Sequence, residues 1–277
     1  MLSTLILKFF PKNIWRALVG LAQQLRRTFV STTGFSNGKL DLRPPSLNNI
    51  YMGILGSMFG KKKESAPNPI RETLFGDMPL DQWPGDGVSS DVFPWSAFVS
   101  ARSHLAACAR SEAVACWQQI LQHPGLEPRQ YLQAWHFLRQ HGQSPPPEMA
   151  KQIFGVVIEV GMPGGLELLA AYPDHSARYY NYSGAALIWE HPDASLDSTI
   201  DHVLEASGQV VARIGPWEKA RPAPPLCDQA RLSFPTPSGL HFGQGPLAML
   251  ARDPLGGRVL QLGTVLMKAL IAKTKSG

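Results

Sequence analysis

The chain has few cysteines and lacks several motifs of known chemistry. Its 277 residues contain three cysteines, Cys108, Cys116 and Cys227, whose spacing fits neither a disulfide framework nor a zinc site. A P-loop and a Gly-x-Gly-x-x-Gly dinucleotide motif are both absent. These absences exclude a P-loop NTPase, favour a non-enzymatic protein, and indicate a reducing, cytoplasmic environment for the thiols.

Acidic residues are nearly absent from the beginning of the chain. Residues 1–63 carry ten Lys or Arg and a single acid, Asp41, which leaves 16 basic and 20 acidic residues for the other 214. The net charge of +5 therefore describes a basic leader in front of a mildly acidic body. A nucleic-acid-binding protein spreads its positive charge over a folded face, so we expect no nucleic-acid partner.

The basic leader, residues 1–64, has three interpretations. It is typical of a transit-type presequence, it could form an amphipathic surface helix over residues 13–25, or the native protein could start at Met52. We favour the start at Met52. A membrane span is not expected, because charged residues and a proline interrupt every apolar run well short of the roughly 20 residues that a bilayer requires, at Lys8, Pro11, Lys12 and Arg16. Membrane contact is expected only if residues 1–51 are translated.

Three further segments follow the leader. Residues 65–91 are rich in Pro, Gly and Asp and predict a linker or irregular wrapping. Residues 92–143 have helical periodicity, with Ser111 as a candidate N-cap and Pro128 at a first-turn position, and predict a small helical module. A proline run then separates this module from an α+β domain over residues 148–277.

The α+β domain begins with alternating strand-like runs. Four runs, over residues 153–160, 166–172, 177–182 and 185–190, are separated by short turns, which predicts an antiparallel meander. A helix capped by Asp193 or Ser195, a second hairpin and a closing helix follow. The expected fold class is α+β, with an antiparallel sheet of about five or six strands and helices on one or both faces. It resembles profilin or roadblock/longin architectures at the level of strand order only.

The strand that contains Arg178, Tyr180 and Tyr182 is the first candidate binding site. Alternation along a strand places these three side chains on one face, and an exposed Arg/Tyr surface is typical of a binding hot spot. The alternative is that the rings pack beneath helices and that Arg178 is a solvated edge charge.

The second candidate site is the glycine-rich run from Gly239 to Pro246. Glycines here permit close approach of backbone to a ligand, and His241 and Gln244 are polar groups nearby. The alternative is a bulged strand end leading into Pro246.

Metal and catalytic signals are weak throughout. No two of the eight histidines have His-Glu-x-x-His spacing, so we predict no metal and no cofactor, and metal binding would need long-range assembly. Asp174, His175 and Ser176 contain triad residue types, but a turn in which Asp174 accepts a local hydrogen bond explains them better.

These observations favour a cytoplasmic, non-enzymatic protein-interaction or adaptor module whose partner is another protein. One alternative is a small-molecule sensor or hydrolase with a pocket near His241 and Gln244, to which Arg178 contributes charge. The other is a protein attached to a membrane through its basic leader.

Overall fold

A computed structural model of the chain describes residues 69–85 and 90–273. The basic leader, the predicted start at Met52 and two parts of the Pro/Gly-rich stretch, residues 65–68 and 86–89, lie outside the described residues. All the described residues belong to one unit, which includes both the predicted helical module and the predicted α+β domain.

Six strands form one antiparallel sheet in the order β4-β3-β2-β1-β5-β6, which confirms the predicted α+β class. The first four strands are a meander, and the chain then returns so that β5 pairs with the free side of β1. The strands are β1 (Val156–Met162), β2 (Gly165–Ala171), β3 (Ala177–Tyr180), β4 (Ala186–Trp189), β5 (Gln229–Thr236) and β6 (Gly239–Pro246).

Eight α-helices accompany the sheet within the described residues. None of them is long and apolar enough to cross a membrane. They are α1 (Pro69–Glu72), α2 (Trp95–Ala106), α3 (Arg110–Gln122), α4 (Pro128–Gln140), α5 (Pro147–Ala150), α6 (Asp197–Val211), α7 (Leu247–Leu250) and α8 (Gly256–Lys273).

Local sequence explains most of the helix ends. Helix α4 starts with the capping box of Glu127 and Gln130 and with Pro128 in its first turn, as predicted. Asp193 accepts a hydrogen bond from the Ser195 N–H at 2.8 Å and caps the 3-10 turn that leads into α6. Ser111 was the wrong choice as a cap, because α3 already begins at Arg110 and has no side-chain cap.

One face of the sheet, called the α6/α8 face, packs under the two long C-terminal helices. Its side chains come from alternate strand positions such as Ile158, Leu169 and Leu232, and they join Ile200 of α6 and Leu266 of α8 in one apolar core. The alternate apolar side chains of the strands thus pack against the apolar stripes of the helices, and both patterns are visible in the sequence.

The other face, called the opposite face, is covered by residues 70–85 and the helical module. Leu74 and Phe75 pack on Val157 and Leu168 of this face, and the Tyr172 hydroxyl donates to the Leu74 carbonyl oxygen at 2.8 Å. The proline-rich stretch is therefore irregular wrapping here, the second of the two interpretations of its composition.

Gly76 lies where this wrapping segment crosses α4. Its φ is +62°, and a Cβ built on it would lie 2.5 Å from the Leu132 Cβ and 2.7 Å from the Arg129 carbonyl oxygen. Both the left-handed backbone and the missing side chain are therefore needed for the wrapping segment to reach the helical module.

We expect Gly76→Ala to lower the free energy of unfolding by about 3 kcal/mol, because backbone strain and a clash with backbone atoms add. Gly208→Ala is the matched control, since a Cβ at Gly208 in α6 would meet nothing within 4 Å. The control should be neutral or stabilising by up to about 1 kcal/mol. Urea unfolding of the two variants measures both changes. Equal stabilities would contradict a close contact between Gly76 and α4.

Candidate functional site

The structure does not expose the predicted Arg178–Tyr180 surface. Arg178 is 7% and Tyr180 is 9% exposed, and Tyr180 belongs to the cluster formed with Leu74 and Phe75. This corrects the exposed-face interpretation of these two residues. The cover comes from a segment about one hundred residues earlier in the chain, which strand alternation alone does not reveal.

The Arg178 guanidinium is held at the rim of the opposite face. Its Nη2 donates to Glu190 Oε1 at 2.6 Å, and its Cζ lies 5.7 Å from the Tyr172 ring centroid. Its Nη1 is buried and has no hydrogen-bond partner among the described residues. Arg178 is thus a packed cation with one exposed carboxylate partner, and not the solvated edge charge of the alternative interpretation.

Tyr182 lies outside the strand that was expected to carry it. Strand β3 ends at Tyr180, because the Asn181 side chain accepts hydrogen bonds from the Ser183 and Ala185 backbone N–H groups and closes a turn. The half-buried Tyr182 ring instead packs against Gly164 in the β1–β2 turn.

His241 and Gln244 lie on opposite faces of the sheet. His241 pairs in register with Phe234, whose side chain is in the α6/α8 core, whereas Gln244 pairs with Arg231 and accepts its hydrogen bonds at 2.8 and 2.5 Å. Arg178 is four strands away from β6, which corresponds to roughly 19 Å at the usual strand spacing. The structure therefore does not bring the three residues of the pocket hypothesis together.

His241 is a core residue. It is fully buried, its Nδ1 lies 3.4 Å from Thr236 Oγ1, and its Nε2 has no hydrogen-bond partner among the described residues. Burial lowers the pKa of His241, so the neutral imidazole is the form that the core accommodates.

A charged cluster occupies the centre of the opposite face. Glu159 is fully buried, and its two oxygens accept from Arg71 Nε at 2.6 Å and from Arg231 Nη1 at 3.2 Å. Both arginines also donate to the Pro222 carbonyl oxygen, at 2.9 and 3.1 Å. We call Glu159, Arg71, Arg231 and the groups bonded to them the arginine cluster.

Arg221 extends the arginine cluster towards the wrapping segment. It binds Asp77 through Nε at 2.7 Å and Glu72 through Nη2 at 2.5 Å, and its Cζ lies 4.1 Å from the Phe75 ring centroid. Burial favours the neutral form of Glu72, but the hydrogen bond and charge of Arg221, together with Arg71, leave the pKa of Glu72 below its ordinary value. Three guanidiniums thus face three carboxylates, so the cluster is neutral and structural.

The outer edge of β6 is the part of the second candidate site at which backbone groups point away from the sheet. Trp217 N–H donates to the Leu240 carbonyl oxygen at 2.7 Å, which shows that Leu240 directs its backbone outward. By strand alternation, Phe242 and Gln244 direct their N–H and C=O groups the same way. Neither N–H has a partner among the described residues.

Among the described residues, Trp217 bridges to this edge at Leu240 and Pro246 ends it, so the stretch from Phe242 to Gln244 is the part left without protection. Strand β6 is eight residues long, pairs with β5 in continuous register without a bulge, and carries no charged side chain. Edge strands are normally shielded by charges, bulges or shortness, as four-residue β4 is by its length. A Cβ at Gly243 would meet nothing within 4 Å, so the strand is also sterically open on that side.

Comparison of the chain with protein-family models, curated proteins and solved structures finds no match in any of the three. The site is therefore interpreted from its own geometry.

Sequence reasoning overlooked the arginine cluster, although a signal was present. Glu159 and Arg231 each interrupt an otherwise apolar strand run, at positions whose neighbours are buried. An acid and a base in two such runs indicate a buried ion pair if the two strands are neighbours. The sequence does not reveal that β1 and β5 are neighbours, because the chain passes through α6 between them.

We expect Glu159→Ala to lower the free energy of unfolding by about 3–5 kcal/mol, because two buried guanidiniums lose their counter-charge. The exposed carboxylate Glu205 of α6 provides the control, and Glu205→Ala should change stability by less than about 0.5 kcal/mol. Urea unfolding measures both variants. A loss below 1 kcal/mol for Glu159→Ala would show that the cluster relaxes easily.

Acidification should destabilise the fold through His136, which borders the arginine cluster from α4. Burial lowers the pKa of His136 to about 4. The negative charge of Asp77 raises this pKa, and the positive charges of Arg139 and Arg221 lower it. The unfolded chain takes up a proton near pH 6.5 while the folded chain does not, so stability is lost as pH falls from 6.5 towards 4.

His136→Gln should therefore lose about 1–2 kcal/mol less stability than the wild type between pH 7 and pH 5. Exposed His202→Gln is the control and should follow the wild-type profile. Unfolding measured at each pH gives the slopes, and identical slopes for all three proteins would exclude His136 as the source.

Proposed function

We propose that this chain is a non-enzymatic, cytoplasmic protein-interaction module that binds an extended segment of another polypeptide along the outer edge of β6. The observation that carries the proposal is the row of outward backbone groups at Phe242 and Gln244, without partners among the described residues, on a long uncharged edge strand. Strand addition uses such groups directly, since main-chain hydrogen bonds supply affinity.

The surroundings of the edge support an interface with some side-chain selectivity. On the opposite face, an added strand would lie beside Phe242, whose ring contacts Trp217 with centroids 5.2 Å apart. Trp217 is 39% exposed and therefore offers apolar area to an incoming side chain. On the α6/α8 face, a Cβ at Gly243 would meet nothing within 4 Å, so this position leaves space for a side chain of the added strand.

Rigidity at this edge also supports the proposal. Gln244 accepts two hydrogen bonds from Arg231, which is itself fixed by Glu159 in the centre of the sheet. Because buried charges hold β6 in its extended conformation before binding, only the incoming segment loses conformational freedom when the two pair.

Gly243→Lys tests the proposal, because a lysine on the edge blocks strand pairing while its Cβ meets open space. Extended peptides selected from a random library against the full chain should protect the Phe242 and Gln244 amides from hydrogen exchange. We expect Gly243→Lys to weaken their binding at least about tenfold, the loss of roughly 1.4 kcal/mol.

Gly208→Lys on α6 is the matched control and should bind these peptides like the wild type. The proposal fails if no peptide is selected, if selected peptides bind without protecting the two amides, or if both lysine variants bind equally well. Self-association that Gly243→Lys abolishes would show that the added strand comes from a second copy of this chain.

A further inference from the structure

Three metal-ligating side chains meet at one end of the sheet, far from β6. His175 lies in the turn before β3, His191 follows β4, and Asp197 is the first residue of α6. One ligand atom from each residue lies within 4.8 Å of the other two. The three residues come from separate parts of the chain. The spacing of the histidines in the sequence does not reveal such a long-range cluster.

Sheet register brings the two imidazoles together. Ala177 pairs with Trp189, so His175 and His191 each lie two residues beyond this pair, at the same end of β3 and β4. Both have left-handed backbone, with φ of +59° and +52°, and their ring centroids are 5.2 Å apart. Such φ values are uncommon for residues other than glycine, and two of them aim these side chains at one point.

The distances suit a small tetrahedral ion. His191 Nε2 lies 3.0 Å from Asp197 Oδ1, and His175 Nδ1 lies 3.8 Å from Asp197 Oδ2. These two contacts are to different oxygens of one carboxylate, and one ligand atom from each of the three residues lies within 4.8 Å of the others. The ligand atoms of a tetrahedral zinc site lie about 3.3 Å apart, so side-chain shifts of roughly 1 Å would bring the three onto one ion.

Asp201 completes the arrangement from the next turn of α6. Its Oδ1 lies 3.0 Å from His175 Nε2, so it can accept the Nε2 proton of a neutral imidazole, which makes Nδ1 the nitrogen available to an ion on the Asp197 side. A carboxylate on the outer nitrogen of a histidine is the usual support of a zinc ligand.

Asp197 Oδ1 is a buried oxygen without a hydrogen bond among the described residues. His191 Nε2 is close to it at 3.0 Å, but this contact does not have the alignment of a hydrogen bond. Buried polar atoms are rarely left unsatisfied, and a cation between this oxygen and the two imidazoles would satisfy it.

We propose that His175, His191 and Asp197 bind one Zn²⁺ ion, with Asp201 as a positioning residue. Two imidazole nitrogens and one carboxylate oxygen favour Zn²⁺ over Mg²⁺ or Ca²⁺, which prefer oxygen ligands. The His191 side chain is 40% exposed, so solvent reaches the cluster and a water molecule can supply a fourth ligand. The ion would tie the ends of β3 and β4 to the start of α6.

The test uses the full, untagged chain after dialysis against a chelator, with ZnCl₂ titrated by calorimetry and the melting temperature followed. We expect one Zn²⁺ per chain and a higher melting temperature. His191→Asn keeps a residue that tolerates left-handed backbone, and it should weaken binding at least about 100-fold, while Asp201→Asn should weaken it about 10–100-fold.

His202→Gln, an exposed histidine on α6, is the matched control and should bind Zn²⁺ like the wild type. Circular dichroism confirms that each variant is folded. Absence of Zn²⁺ binding by the wild type, unchanged binding by His191→Asn, or tighter binding of Mg²⁺ than of Zn²⁺ would each overturn the proposal. In the first case the four residues form histidine–carboxylate ion pairs only.

Discussion

The buried contact of Glu159 with Arg71 and Arg231 holds the layers of this protein together. Glu159 and Arg231 belong to the neighbouring strands β1 and β5, whereas Arg71 comes from the segment that wraps the sheet from outside. A carboxylate without solvent is costly unless it is paired, so the wrapping segment completes the sheet electrostatically as well as by apolar contact. The Pro222 carbonyl oxygen, bonded to both arginines, attaches a fourth piece of chain to the same point.

The two edges of the sheet, at β6 and at β4, differ in chemistry. At one end, β6 is fixed through Gln244 and Arg231 and keeps a straight, uncharged outer edge. At the other end, β3 and β4 are short, and the turns beside them gather imidazoles and carboxylates instead. Apolar and backbone chemistry is thus separated from ligating side chains by the width of the sheet.

Much of the fold could be predicted from local sequence. Turn residues such as Asp174, whose Oδ1 does accept from the Ser176 N–H, mark the strand ends correctly. The glycine-rich run was interpreted as a ligand loop or a bulged strand end, but it is regular strand, because pairing with β5 keeps the poor strand formers Gly243, Gly245 and Pro246 extended. Burial of the tyrosine rings was one of the two interpretations of β3, but the cover of Tyr180 by Leu74 and Phe75 and the burial of Arg178 were not predicted, because no local pattern connects those residues to β3.

The wrapping segment also determines where the chain can be cut. A fragment beginning at residue 92, the start suggested by composition, would lose Arg71 together with Leu74 and Phe75. Val157, Leu168 and Tyr172 would then face water, beside a carboxylate with half of its partners removed. Such a fragment would expose an apolar face and would tend to aggregate. A fragment that folds by itself therefore has to include the short helix Pro69–Glu72.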